Sequence, residues 1–221
     1  SLVALIPAGG DPAAGAAMCG GTVVAPTAVV TAAHCVIGDD GSVVAPGALE
    51  VVAGTQDLAV PGDRIGVAGV RVHPAYRAPG DGPDAAVLQL ARPTSAPPAV
   101  LARPGQDPDV DRPGAIAGWG TLSERDRLGS TVLMDADLTV FASSACERMV
   151  GPAYVRALAV CAGVPAGGID TCAGDSGGPL RDAAGALVGI TSWGPGCGRP
   201  GRPGVYTRVA AVAAWIDGAA A

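Results

Sequence analysis

The chain has 221 residues, 49% of them hydrophobic and 15% charged, with a formal net charge of −6. That length and apolar share describe a packed protein with room for one large all-β domain or two small ones, and its 34 glycines and 20 prolines speak for many turns rather than disorder. The acidic balance argues against nucleic acid as a partner, and no apolar run reaches the roughly 18 residues that span a membrane.

Leu2–Ile6 reads as a strand. It is too short, and lacks the basic flank, to be the apolar core of a signal peptide, so the targeting segment of a secreted protein is expected to lie outside this chain. Asp11–Gly15 is turn material, and Met18–Val24 reads as a second strand, with glycines where backbones pack closely. Val29–Cys35 reads as a third strand, carrying His34 at its end. Cys35 follows that histidine and Cys19 lies 16 residues back. A bridge between the two would pin the imidazole and, by closing such a loop, stabilise the fold by roughly 3 kcal/mol.

Leu49–Ala53 and Arg64–Val72 are further strands, with turns expected at Gly62 and Gly69. His73, just before Pro74, reads as a structural loop residue. Asp84 stands ahead of the apolar run Ala85–Leu90: it is either a solvated strand-end acid or a carboxylate that orients a histidine. Pro93–Pro113 is proline-rich and reads as the connector between two halves, 1–100 and 101–221, which no internal repeat relates.

In the second half, Ala115–Gly120, Thr131–Phe141, Tyr154–Cys161, Leu187–Trp193 and Gly204–Val209 read as strands. Ser143–Met149 reads as a short helix capped by Ser143 or Ser144, and Val209–Ile216 as an apolar helix. Many short strands with regular turn signals and one late helix make an all-β barrel or sandwich the expected architecture.

The stretch Asp170-Thr-Cys-Ala-Gly-Asp-Ser-Gly-Gly-Pro-Leu180 organises the rest. Acyl transfer needs a hydroxyl on an exposed turn, with backbone N–H groups aimed where an oxyanion forms. Ser176 supplies the hydroxyl, and the Gly174–Ser176 backbone offers the donors. Taken alone, the same string also reads as an ordinary surface turn. The six cysteines, an even count, suggest three disulfides and an oxidising, extracellular compartment; no pairing follows from the sequence alone.

Thr-Ala-Ala-His34-Cys, Asp84-Ala-Ala-Val-Leu and Gly-Asp-Ser176-Gly-Gly-Pro occur in that order, and with Ser-Trp-Gly194 and Gly-Val-Tyr-Thr207 they resemble the chymotrypsin/trypsin-like serine proteases from about Leu2 to Ile216. The resemblance implies two six-stranded antiparallel barrels with the active site between them. It implies a catalytic triad of Ser176 as nucleophile, His34 as general base and Asp84 as the carboxylate that holds the imidazole. The N–H groups of Gly174 and Ser176 would form the oxyanion hole. Asp170, six residues before Ser176, would lie at the base of the primary specificity pocket and select Arg or Lys. Thr171 leaves both side chains acceptable, with Arg slightly preferred. Gly194 and Gly204 would keep the pocket walls open, and Ser192, Trp193 and Gly194 would pair with substrate backbone. The implied disulfides are Cys19–Cys35, Cys146–Cys161 and Cys172–Cys197. Three bridges resemble a bacterial secreted member more than a vertebrate trypsin.

The resemblance also marks a departure. The family's Ile-Val-Gly-Gly-like mature start is missing, and its α-amine would pair with the acid before the nucleophile, here Asp175. A buried Asp175 without that partner is costly, so the 221 residues alone are expected to be zymogen-like. The Gly54–Asp63 loop falls where some relatives bind calcium. Its two acids, Asp57 and Asp63, are too few for that ion's usual shell, so no metal and no cofactor is expected. The expected partners are polypeptide substrates and protein protease inhibitors, with the chain itself a monomer. Two other functions remain on the same residues: a non-catalytic binding module, or an esterase using the same triad.

Overall fold

The structure, a computed structural model, describes residues 1–14, 17–106 and 110–221. Gly15 of the expected Asp11–Gly15 turn and Pro108 of the expected connector lie outside the described residues. Strands β1 (Leu2–Pro7), β2 (Cys19–Ala25), β3 (Ala28–Thr31), β4 (Leu49–Ala53), β5 (Asp63–Val72) and β6 (Ala86–Leu90) close into one barrel in the order β1-β2-β3-β6-β5-β4. Strands β7 (Pro113–Gly118), β8 (Met134–Val140), β9 (Ala159–Gly163), β10 (Pro179–Arg181), β11 (Leu187–Trp193) and β12 (Gly204–Arg208) close into a second, in the order β10-β11-β12-β9-β8-β7. Counted from its own first strand, the second barrel repeats the strand order of the first, although no repeat relates their sequences. All the pairings are antiparallel. The fold expected from the sequence is therefore the one found, and closure leaves neither sheet an open edge.

The barrels are filled mainly by branched aliphatic side chains. Val3, Leu5, Val23, Val51, Ile65 and Leu88 pack in the first, Leu138, Leu180, Leu187 and Ile190 in the second, within one continuous apolar cluster. Helix α1 (Ser143–Val150) is short, and helix α2 (Val209–Ala220) buries Val209, Val212, Ala213, Ile216 and Ala219 at the three- and four-residue spacing of one helix face. That face lies against β3 and β6 of the first barrel and β11 of the second. Trp215 meets the ring of His73 edge-on at 4.8 Å. Burying a side chain such as Ile216 stabilises by about 1.5–3 kcal/mol, so α2 fastens the two barrels together. A second tie joins the loop after β4 to the segment before β8: Leu58 N–H donates to Thr131 O at 2.8 Å and Leu133 N–H to Gln56 O at 2.6 Å. In that loop Asp63 is engaged by Arg92, and Asp57 Oδ1 accepts the Ala59 N–H at 2.9 Å.

Several local expectations are corrected. The third strand stops at Thr31, and His34 sits on a short 3-10 turn, Ala33–Val36, because the chain must leave the barrel there to enter the cleft. Gly69 is not a turn: it lies inside β5, where the register against β6 shifts by one residue. Helix α1 starts after Ala142, and no side chain caps it. The apolar run Tyr154–Cys161 is a strand only from Ala159, since Gly151–Leu158 forms turns bonded among themselves. Helix α2 continues past Ile216 to Ala220. β10 was not anticipated, being three residues long and headed by a proline.

Candidate active site

β3 and β6 are paired in a register that sets Thr31 opposite Ala86. The 3-10 turn after β3 and the loop before β6 therefore emerge side by side, carrying His34 and Asp84. His34 Nδ1 lies 2.7 Å from Asp84 Oδ2, and the His34 main-chain N–H donates to Asp84 Oδ1 at 3.0 Å. Ser192 Oγ, from β11 of the other barrel, donates to Asp84 Oδ2 at 2.6 Å. The Asp84 side chain is 2% exposed and that of His34 26%. A carboxylate only accepts, so Nδ1 is the donor of this bond, and in the neutral ring that tautomer leaves the lone pair on Nε2. Thr207 Oγ1 donates to the Asp84 carbonyl at 2.9 Å. Tyr76, beside this group, has its phenol pushed up to about 12, first by burial and then by the charge of Asp84.

Ser176 lies on the turn between Cys172 and β10. Its carbonyl accepts the N–H of Gly20 in β2 at 2.7 Å and lies 3.6 Å from Cys35 Sγ, so the turn is docked beside the residue that follows His34. Cys35 is bonded to Cys19. Asp175 N–H donates to Cys172 O at 3.0 Å, Gly177 N–H to Thr191 O at 2.8 Å and Gly178 N–H to Asp175 O at 2.9 Å. Among the described residues, the N–H groups of Gly174 and Ser176 and the Ser176 Oγ meet no hydrogen-bond partner. Gly174 has φ 95°, a backbone that only glycine adopts freely.

The Asp175 side chain reaches the loop that follows β7 and also meets Cys172 of its own turn. Its oxygens accept the N–H of Gly120 at 2.8 Å and of Cys172 at 2.9 Å, and burial raises its carboxyl above the ordinary range. A Cβ at Gly118 or Gly120 would collide with that carboxylate. A cavity of about 260 Å³ adjoins it, lined in part by Gly118, Leu122, Met134 and Asp170.

Beside Ser176 opens a cavity of about 170 Å³, bounded by Thr171, Ser192, Trp193, Gly194, Gly204 and the Cys172–Cys197 disulfide. Asp170 lies behind Gly204, where an added Cβ would sit 2.9 Å from Asp170 Oδ1. Its carboxylate accepts the N–H of Thr171 at 2.9 Å and of Gly198 at 3.1 Å. Burial outweighs those two bonds, and its carboxyl is pushed up to about 6. The buried hydroxyl of Tyr206 completes this corner, 3.3 Å from Thr171 Oγ1. Cys146, inside α1, and Cys161, in β9, form the third disulfide.

Tyr76, Gly198 and the Gly118–Gly120 cradle were not singled out from the sequence. Each acts through a backbone group or a contact with a distant segment, so no local residue pattern marks it. Cys19, His34 and Cys35 come together as metal-binding side chains would, but both sulfurs are spent in a disulfide.

A family model described as Trypsin matches residues 8–216. The chain is 43% identical over 204 residues to a trypsin of Saccharopolyspora erythraea, covering 89% of this chain and 84% of that protein. It is 39% identical over 220 residues to human Serine protease 56, of which it spans only 35%. Among solved structures it is similar to neuropsin, a serine protease of mouse brain, with a TM-score of 0.84 and 33% identity over 98% of this chain and 92% of that one.

Proposed function

The chain belongs to the trypsin family of serine proteases, and from that premise we propose that it is an endopeptidase that cuts after Arg or Lys through Ser176, His34 and Asp84. Polypeptides are the substrates that such a protease fold takes. The observation that carries the reading is the company Ser176 keeps. Its carbonyl lies 3.6 Å from Sγ of Cys35, the residue after a histidine held by a buried carboxylate, and two unengaged backbone N–H groups lie in its own turn.

In this reading Ser176 Oγ attacks the scissile carbonyl while His34 Nε2 takes its proton. The charge that develops on the carbonyl oxygen is met by the N–H groups of Gly174 and Ser176. Donors of this kind typically contribute 100-fold or more each, because they are already oriented when the charge appears. His34 then hands the proton to the departing amine, and water repeats the sequence on the acyl-enzyme. Asp84 keeps the proton on Nδ1 and stabilises the imidazolium.

Asp170 supplies the selectivity. A half-buried carboxylate with two backbone donors and no cation among the described residues is unfavourable alone, and a guanidinium or ammonium that reaches past Gly204 from the cavity beside Ser176 relieves it. Gly204 and Gly194 leave room for that side chain, while Ser192–Gly194, beyond the last β10–β11 pair at Ile190, offers backbone groups to the substrate. Asp175, another half-buried acid beside a cavity, is proposed to receive the cation that sets the Gly174–Ser176 turn. Secretion and a monomeric state belong to the same reading, as do protein inhibitors that fill the cleft.

Hydrolysis of an Arg p-nitroanilide by the activated protein, abolished by Ser176→Ala and blocked by benzamidine, is the expected result. Polypeptide binding with no turnover would leave a binding module. Turnover confined to esters, insensitive to benzamidine, would leave an esterase.

A further inference from the structure

The wall of the specificity cavity is held from outside by a carboxylate that takes no part in the chemistry described so far. Glu124 lies on the loop between β7 and β8. Its Oε1 accepts the N–H of Cys197 at 2.6 Å and the Nε–H of Arg199 at 2.8 Å, and its Oε2 accepts from Arg199 Nη2 at 2.8 Å. Such a two-pronged arginine–carboxylate pair fixes direction as well as distance. Arg199 and the Cys197 N–H also hold the Glu124 carboxyl below its ordinary range, Arg199 contributing most.

Cys197 and Gly196 line the cavity, and Cys197 is bridged to Cys172 across it. The next peptide N–H, that of Gly198, donates to Asp170. Two successive N–H groups are thus claimed by two carboxylates, Glu124 outside the wall and Asp170 behind Gly204. A shift of one peptide moves the other. Gly196 takes φ 94°, and a Cβ there would run into both Glu124 Oε1 and Arg199 Nε, so the wall is shaped around this pair.

The loop that carries Glu124 is anchored at its root. Gly120 N–H donates to Asp175 Oδ1 at 2.8 Å, Thr121 N–H to Ala173 O at 2.8 Å, and Ser130 N–H to Gly120 O at 3.2 Å. Its root therefore grips the segment before Ser176, and its tip grips the cavity wall.

We propose that Glu124 is a positioning residue for substrate selection: through Cys197 and Arg199 it fixes the Gly196–Gly198 wall, and with it the Gly198 N–H that orients Asp170. This rests on the reading of Asp170 as the selecting carboxylate. Glu124 touches no substrate, so its loss should weaken recognition of the basic side chain and spare the reaction itself.

The test uses Glu124→Ala and Glu124→Gln in the activated protein. In Glu124→Ala, KM for an Arg p-nitroanilide and the inhibition constant of benzamidine should rise together by about tenfold, the worth of one charge-assisted hydrogen bond. Turnover of p-nitrophenyl acetate, whose acyl group cannot reach Asp170, should stay within about twofold. Glu124→Gln keeps an oxygen for the Cys197 N–H and should recover part of the loss. Adding Arg199→Ala to Glu124→Ala should make nothing worse, because both act on one wall.

Unchanged KM and benzamidine inhibition in Glu124→Ala would overturn the proposal. An equal loss on p-nitrophenyl acetate would overturn it too, since that reports general loosening. Failure of the Asp170 reading would appear separately, as a parent protein with no preference for Arg or Lys in a peptide set varied at that position. Glu124→Ala is then scored on the side chain the parent does prefer, by the same criteria.

Discussion

Asp84 and Asp170 are both carboxylates taken largely out of water, yet their surroundings are built to opposite ends. Asp84 is saturated. It accepts from the His34 main chain, from the His34 ring and from Ser192, with donors drawn from both barrels. Asp170 accepts two backbone N–H groups and adjoins a cavity, and its carboxyl is left with a value raised to about 6. Nothing remains for a ligand to add at Asp84. At Asp170 a charge is missing. The contrast suggests that one acid orients a neighbour within the protein, while the other waits for a partner from outside it.

Replacing each acid by its amide separates the two roles. Asp84→Asn should have the largest effect. The amide offers one oxygen to a place that receives three donors, so an NH₂ group must face the His34 ring or its main chain. With the NH₂ facing the ring, Nδ1 becomes the acceptor and the free lone pair at Nε2 is lost. For a Ser-His-Asp arrangement in general the loss is about ten-thousand-fold in kcat, and here it should fall equally on amide and ester substrates. Steady-state kinetics with both substrate types checks this, and a loss below tenfold would remove Asp84 from the mechanism.

Asp170→Asn should cost less and cost it selectively. Stranding a substrate cation without its partner typically costs 2–5 kcal/mol, or about 30-fold to about 5,000-fold in kcat/KM for Arg and Lys substrates. Small esters should be spared. Stability should move the other way. The folded carboxyl, at about 6, lies above its ordinary 3.8, so ionising it opposes folding as pH rises through that window. The amide escapes that opposition, and Asp170→Asn should melt at or above the parent temperature at pH 8. A lower melting point there would mean that the ionised acid supports the fold.

How far these positions could be seen in the chain depends on whether a contact is local. The alternation of short apolar runs and turns marked most strands, and so the barrel class. It could not show that the halves share a strand order, because that order lies in pairings such as Leu5 with Cys19 and Val51, which residue identity does not encode. The two elements most misjudged were a proline-headed strand of three residues, Pro179–Arg181, and the apolar turns before Ala159. Within the site, the residues around His34, Asp84 and Ser176 stood in recognisable strings. Gly198, Glu124 and the Gly118–Gly120 cradle did not, since each works through a backbone N–H, a loop tip or an absent side chain against a segment far away in the chain.

The smallest expected effect sharpens the contrast most, because it reads the charge on Asp170 directly. Benzamidine is a cation across the whole range from pH 5 to 8, so only the state of its partner changes. With a carboxyl near 6, about one tenth of the pockets are ionised at pH 5 and nearly all at pH 8. The apparent affinity should therefore fall about tenfold on acidification. At a ligand concentration 100 times the pH 8 dissociation constant, stabilisation should be about 2.7 kcal/mol at pH 8 and about 1.4 kcal/mol at pH 5. Thermal melts with and without benzamidine at the two pH values measure this as a melting shift that roughly halves. Asp170→Asn should show almost no shift at either. An equal shift at both pH values would mean that Asp170 stays ionised down to pH 5, and its surroundings would then be as fully supplied with donors as those of Asp84.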